Sequence, residues 1–153
     1  MNFSQTKETQ LDALMPVIRE SLSCGNSVWL SPKGTSMLPM LRQGIDKVLL
    51  SPLPSKLSKY DLPFYQRDNG QYVLHRIVGV GETYTCVGDN QFDLELGLRH
   101  NQMIALVSAF SRGDRVISVN NLFYKAYCRF WHYSRFIRRI WRGGISWFRR
   151  HLR

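Results

Sequence analysis

Ser36 lies in Gly34-Thr35-Ser36-Met37-Leu38-Pro39, His75 opens His75-Arg76-Ile77, and Gly88-Asp89-Asn90 follows. A serine hydroxyl is barely ionised at neutral pH and needs a base within hydrogen-bond reach before it can attack a carbonyl. Imidazole, with a pKa near the working pH, suits that task. A carboxylate can then orient the imidazole and stabilise its protonated form. The segments thus hold the parts of a serine hydrolase: Ser36 as nucleophile, His75 as general base, and Asp89, or alternatively Glu95 or Asp93, as the acid. The Ser36 amide is the leading donor to an oxyanion. Gly34 permits positive φ or close backbone approach, and Pro39 stiffens the turn that presents the hydroxyl. No lysine falls within residues 72–80, which argues against a serine–lysine pair. Arg76 alternates to the face opposite His75 on a strand, so it reads as half of a fold-supporting ion pair. Asp46 and Asp61 read as turn residues, and Lys33 and Lys47 as solvated or structural.

These groups need rigid elements behind them. Leu11, Leu14, Met15, Ile18 and Leu22 recur at helical spacing over residues 6–24, with Pro16 as a kink or effective start and Gly25-Asn26 as the stop. Short strands follow at 27–31, 47–51, 63–67, 72–80, 83–87, 103–110 and 116–119. Between them stand Pro32-Lys33-Gly34, Asp68-Asn69-Gly70, Gly81-Glu82 and Arg112-Gly113-Asp114. The 72–80 strand carries His75. This density of strands and turns predicts a mainly β domain, a sandwich or incomplete barrel, with a helix in front.

Ser-Met-x-Pro, His-Arg-Ile and Gly-Asp-Asn, in this order, resemble the type I signal peptidase family of serine peptidases. The resemblance is to the branch of endoplasmic reticulum and archaeal enzymes, which has histidine where other members have lysine. It spans about residues 26–120 and is nearest to small bacterial members without an N-terminal membrane anchor. It implies the β-rich fold shared with LexA-type self-cleaving repressors, endopeptidase activity, small residues before the scissile bond and no metal or organic cofactor. The peptide would dock as an added strand. The family often draws a second oxyanion donor from a serine two positions before the nucleophile. Here that position is Gly34, which leaves Thr35 as the substitute. In the endoplasmic reticulum branch a further aspartate follows Gly-Asp-Asn as the triad acid. Glu95 stands at about that place, with Asp93 two residues earlier. Two other roles stay open. A LexA-like self-cleaving regulator would need a DNA-binding helix-turn-helix, which one N-terminal helix does not supply. A non-catalytic basic protein at a membrane or nucleic acid would leave Ser36 inert.

The chain has 153 residues and a formal charge of +10. Nine Lys or Arg and no Asp or Glu fall in residues 121–153, so the first 120 residues, with twelve basic and eleven acidic, are near neutral. This divides the chain into a catalytic domain over 1–120 and a basic aromatic segment over 121–153. In that segment Phe123, Ala126, Tyr127, Phe130, Ile137 and Trp141 share one helical face, and Lys125, Arg129, Arg135, Arg139 and Arg142 the other. Such a helix suits an anionic membrane surface or packing on the body with a solvated basic face, and less well a nucleic acid. Cys24, Cys86 and Cys128 have neither zinc-site nor disulfide-framework spacing. No stretch approaches the ~20 apolar residues of a membrane span. The polar N-terminus lacks the apolar core of a signal peptide. The expected location is cytoplasmic, with the tail able to hold the protein at the inner face of the membrane.

Overall fold

A computed structural model describes residues 3–140, with side chains from Leu11 onward. The first element, α1, spans Phe3–Ser23 and runs through Pro16. It buries Met15, Ile18 and Leu22 and stops where Gly25 takes a φ of 81°. There Asn26 N donates to Ser21 O and Gly25 N to Leu22 O, which satisfies the last carbonyls of the helix.

Nine strands follow: β1 (Val28–Leu30), β2 (Val48–Ser51), β3 (Pro63–Gln66), β4 (Tyr72–Leu74), β5 (Arg76–Val80), β6 (Tyr84–Val87), β7 (Glu95–Leu98), β8 (Met103–Arg112) and β9 (Arg115–Ser118). They form two antiparallel sheets, and neither closes into a barrel. The larger runs β1-β2-β8-β3-β4 with β9 also on β8, and the smaller runs β5-β6-β7. Strand β8 is the spine. Met103, Ala105 and Val107 are buried, alternating with half-buried neighbours, as a strand covered on one face requires.

The expected single strand over 72–80 is two strands. Through Leu74 the chain pairs with β3, and from Arg76 it pairs with β6. His75 sits at the step between the sheets. Strand β7 was not expected at all.

One core packs α1 and the larger sheet with Met37, Met40 and Leu41 of the serine loop. A second, around Tyr65, Ile77, Cys86 and Met103, lies where the smaller sheet meets it. The last element, α2 (Leu122–Tyr133), is capped by Asn121, whose side chain accepts from Phe123 N and Tyr124 N. Its Tyr124 and Cys128 belong to the first core, so the start of the basic segment is built into the body. The face that turns inward carries Tyr124, Tyr127, Cys128 and Trp131. Of the face expected to be apolar, Phe123, Phe130 and Ile137 stay exposed, and Trp141 lies outside the described residues.

Candidate active site

Ser36 is presented by a loop whose neighbours are anchored. Met37 is buried in the core, Leu41 N donates to Met37 O, and Gly34 takes a φ of 89° with its N–H on Gln43 Oε1. Only a residue without Cβ adopts that conformation at no cost. Ser36 itself stays half-exposed on the wall of a cavity of about 200 Å³, and His75 lines the same cavity. The two side chains face that space without a direct hydrogen bond between them. Among the described residues the Ser36 N–H meets no protein acceptor, so it is available to a ligand oxygen, as the oxyanion role requires. The Thr35 hydroxyl is likewise unengaged, while its carbonyl accepts from Leu38 N and Asn90 Nδ2.

His75 is 3% exposed, and its Nδ1 lies 2.7 Å from Glu95 Oε1. Glu95 is also gripped by Arg67, through Nε at 2.8 Å and Nη2 at 2.5 Å. Burial alone would push the Glu95 carboxyl up. The hydrogen bonds from Arg67, together with His75 and Tyr65, outweigh it and hold the group below its ordinary value. An ionised carboxylate can only accept, so His75 Nδ1 carries the ring proton and Nε2 keeps the lone pair. Burial also lowers the His75 pKa, against the opposing pull of Glu95, so the ring is neutral at pH 7. A neutral imidazole with a free Nε2, held by a carboxylate on its other nitrogen, is poised to take a proton.

The other two carboxylates go elsewhere, and the order among the three changes. Asp89 forms a two-pronged ion pair with the buried Arg76, at 2.8 Å from both Nε and Nη2. Asp93 lies exposed in the loop before β7, near Arg135. Neither reaches His75, so Glu95 is the carboxylate that can orient it. The physical reason is the alternation of β5. Arg76 points away from His75 into the core, where a guanidinium requires an acid, and Asp89 is the one supplied. Arg76 also donates to Tyr60 O, the Tyr124 hydroxyl, Cys128 Sγ and Met40 Sδ.

The Gly-Asp-Asn turn is a clamp on the serine loop. Asn90 N donates to Ser36 O at 2.7 Å, and a Cβ on Gly88 would stand 2.7 Å from that same oxygen. Helix α2 holds the turn from behind. The Tyr127 hydroxyl donates to Asp89 Oδ2, and Trp131 Nε1 donates to Asp89 O at 2.7 Å. No family model, curated protein or solved structure matches the chain.

The remaining reactive groups take no part in this arrangement. Asp46 is buried on Arg42 and also accepts from Gly113 N, and Asp61 accepts from Ser58 N within its own turn. Cys86 lies buried beside Glu95, and burial, with that charge, pushes its thiol up to about 12. It is therefore a protonated thiol at neutral pH and no nucleophile. Lys33 stands on the cavity wall and is exposed. His132 is half-buried with its ring edge-on to Tyr60. Arg67, one residue past β3, was not expected in the site, and nothing in its local sequence marks it as the partner of Glu95.

Proposed function

We propose that this protein is a serine endopeptidase. The observation that carries the reading is that Ser36 and His75 line one cavity while Glu95 holds the far ring nitrogen of His75. Ser36 Oγ attacks a peptide carbonyl and gives its proton to His75 Nε2. The Ser36 N–H, with Thr35 as second donor, receives the oxyanion. His75 returns the proton to the departing amine, which leaves an ester on Ser36. A water then repeats the sequence, losing its proton to His75, and Ser36 recovers its own. Glu95 orients the ring throughout and offsets the positive charge it gains.

The substrate is an extended peptide. Strand β4 ends the larger sheet and has β3 as its neighbour on one side, while Tyr72, Val73 and Leu74 line the cavity. A free strand edge beside the nucleophile supports docking by strand addition. Small residues before the scissile bond follow from the resemblance to signal peptidases. Maturation of a small precursor peptide fits a chain whose described residues include no helix long and apolar enough to cross a membrane.

The test is labelling with a fluorophosphonate, followed by peptide mapping. Label is expected on Ser36, absent in Ser36→Ala and strongly slowed in His75→Ala, with both variants still folded. A folded wild-type protein that takes no label, or takes it elsewhere, refutes the proposal.

A further inference from the structure

Helix α2 and the helical stretch at 135–140 present a second face that the body does not cover. Phe123 is 87% exposed, Phe130 69%, Tyr133 71%, Ile137 63% and Ile140 58%. With Ala126 these residues follow one another in steps of three and four, which keeps them on one line along a helix. The line continues past the end of α2, because Ser134 N donates to Phe130 O and Arg138 N to Ser134 O. Leu122 and Phe136 widen it and are exposed as well. A water-soluble surface seldom leaves so long an apolar strip uncovered.

Charge selects what covers it. Lys125, Arg129 and Arg139 are exposed along the same helical stretch, and residues 121–153 hold nine Lys or Arg with no acid. A second copy of the chain would set these like charges against one another. A nucleic acid would use the cations and the aromatic rings but has no place for Leu122, Ile137 and Ile140. An anionic bilayer takes both: the apolar strip enters the acyl boundary and the cations meet the headgroups. We propose that the outer face of this C-terminal helical region seats the protein on an anionic membrane surface. The proposal is independent of the serine chemistry, since none of the strip residues lines the cavity.

The experiment is co-sedimentation of the full chain with phosphatidylcholine vesicles, with and without phosphatidylglycerol. Wild type is expected to bind the mixed vesicles and not the neutral ones. The variant Phe123→Ser/Phe130→Ser/Ile137→Ser, all at exposed positions, should lose ~100-fold or more of the partition coefficient. Lys125→Gln/Arg139→Gln should lose ~30-fold at low salt and little at high salt. If the triple variant folds poorly, Phe130→Ser alone should still lose roughly 5- to 10-fold. Wild type that ignores the anionic lipid overturns the proposal, as does a triple variant that binds like wild type. Sedimentation velocity and duplex-DNA binding supply two more refuting outcomes: an oligomer dissolved by the triple substitution, or DNA binding that the substitution abolishes while vesicle binding persists.

Discussion

Glu95→Gln isolates the charge that holds His75. The side chain keeps its size, so the packing around Tyr65 and Arg67 should survive, but the carboxylate that accepts from His75 Nδ1 at 2.7 Å is gone. When His75 takes the serine proton it becomes a cation, and in the variant only the more distant Asp89 opposes that charge. Arg67, until then neutralised by Glu95 at 2.8 and 2.5 Å, now adds repulsion. Unit charges about 4 Å apart interact by ~4 kcal/mol at an effective dielectric of ~20. Glu95 keeps 22% side-chain exposure, so water recovers part of this. A loss of ~2–4 kcal/mol in the transition state corresponds to ~30- to 1000-fold in kcat. The sign of the pH effect is set as well. The Glu95 charge raises the His75 pKa, so its removal lowers that pKa further below the ordinary value. The acidic limb of kcat/KM, which follows deprotonation of His75, should therefore move to lower pH while the plateau falls. The assay is peptide hydrolysis, or the rate of fluorophosphonate labelling, across pH for wild type and variant. A variant with an undiminished plateau, or with its limb moved upward, refutes the role assigned to Glu95.

Asp89→Asn should behave differently. It leaves the guanidinium of Arg76, 2% exposed, without its counter-charge, and the unfolding free energy in urea should drop by ~3–5 kcal/mol. Stability equal to that of Glu95→Gln would show that Asp89 is not a structural acid. Gly88→Ala drives a Cβ to 2.7 Å from Ser36 O, so the serine loop must shift. The expected result is ~10-fold or greater slowing of Ser36 labelling with ~1–3 kcal/mol of destabilisation, and unchanged labelling would mean the clamp is slack. Burial lowers the pKa of His75 and also of His132, so the unfolded chain takes up protons first as pH falls below ~6.5. Stability should therefore be full above that pH and decline on acidification through the two folded-state values. Urea midpoints that stay flat between about pH 7.5 and about pH 5.5 would contradict neutral burial of the two rings.

The serine box was legible because it combines three local demands: a left-handed glycine, a buried methionine and an exposed hydroxyl in four residues. The step at His75 was not. The run Tyr72–Val80 holds no proline and no turn pair, and nothing local reports that the pairing partner changes from β3 to β6. Strand β7 was hidden by its composition, since Glu95-Leu96-Gly97-Leu98 contains two residue types that strands disfavour and Gly97 has a φ of 74°. That omission left Glu95 in a loop beside Asp89 and Asp93. The alternation rule held part of the remedy. It places Arg76 opposite His75, a buried guanidinium requires an acid, and assigning Asp89 to Arg76 leaves Glu95 and Asp93 for His75. In α2 the helical pattern grouped Phe123, Tyr127 and Phe130 on one apolar face. The body takes Tyr124, Tyr127, Cys128 and Trp131; the hydroxyls and the indole N–H reach Asp89 and Arg76, so hydrogen bonding as well as hydropathy sets the buried face.

The contacts of α2 with Asp89 and Arg76 also set an order of events during synthesis. A growing chain emerges from its N-terminus at ~5–20 residues per second. Ser36 and His75 are therefore made several seconds before Tyr124, Tyr127 and Trp131, which hold the Gly-Asp-Asn turn against the serine loop. Until those side chains arrive, the turn lacks its backing, and the charge pair of Arg76 and Asp89 stands without the tyrosines that cover it. The serine loop and His75 gain this backing only after Trp131 has been made. Under the proposed serine chemistry, a chain that matures in this order stays silent on the ribosome, where extended, unfolded polypeptide is most abundant.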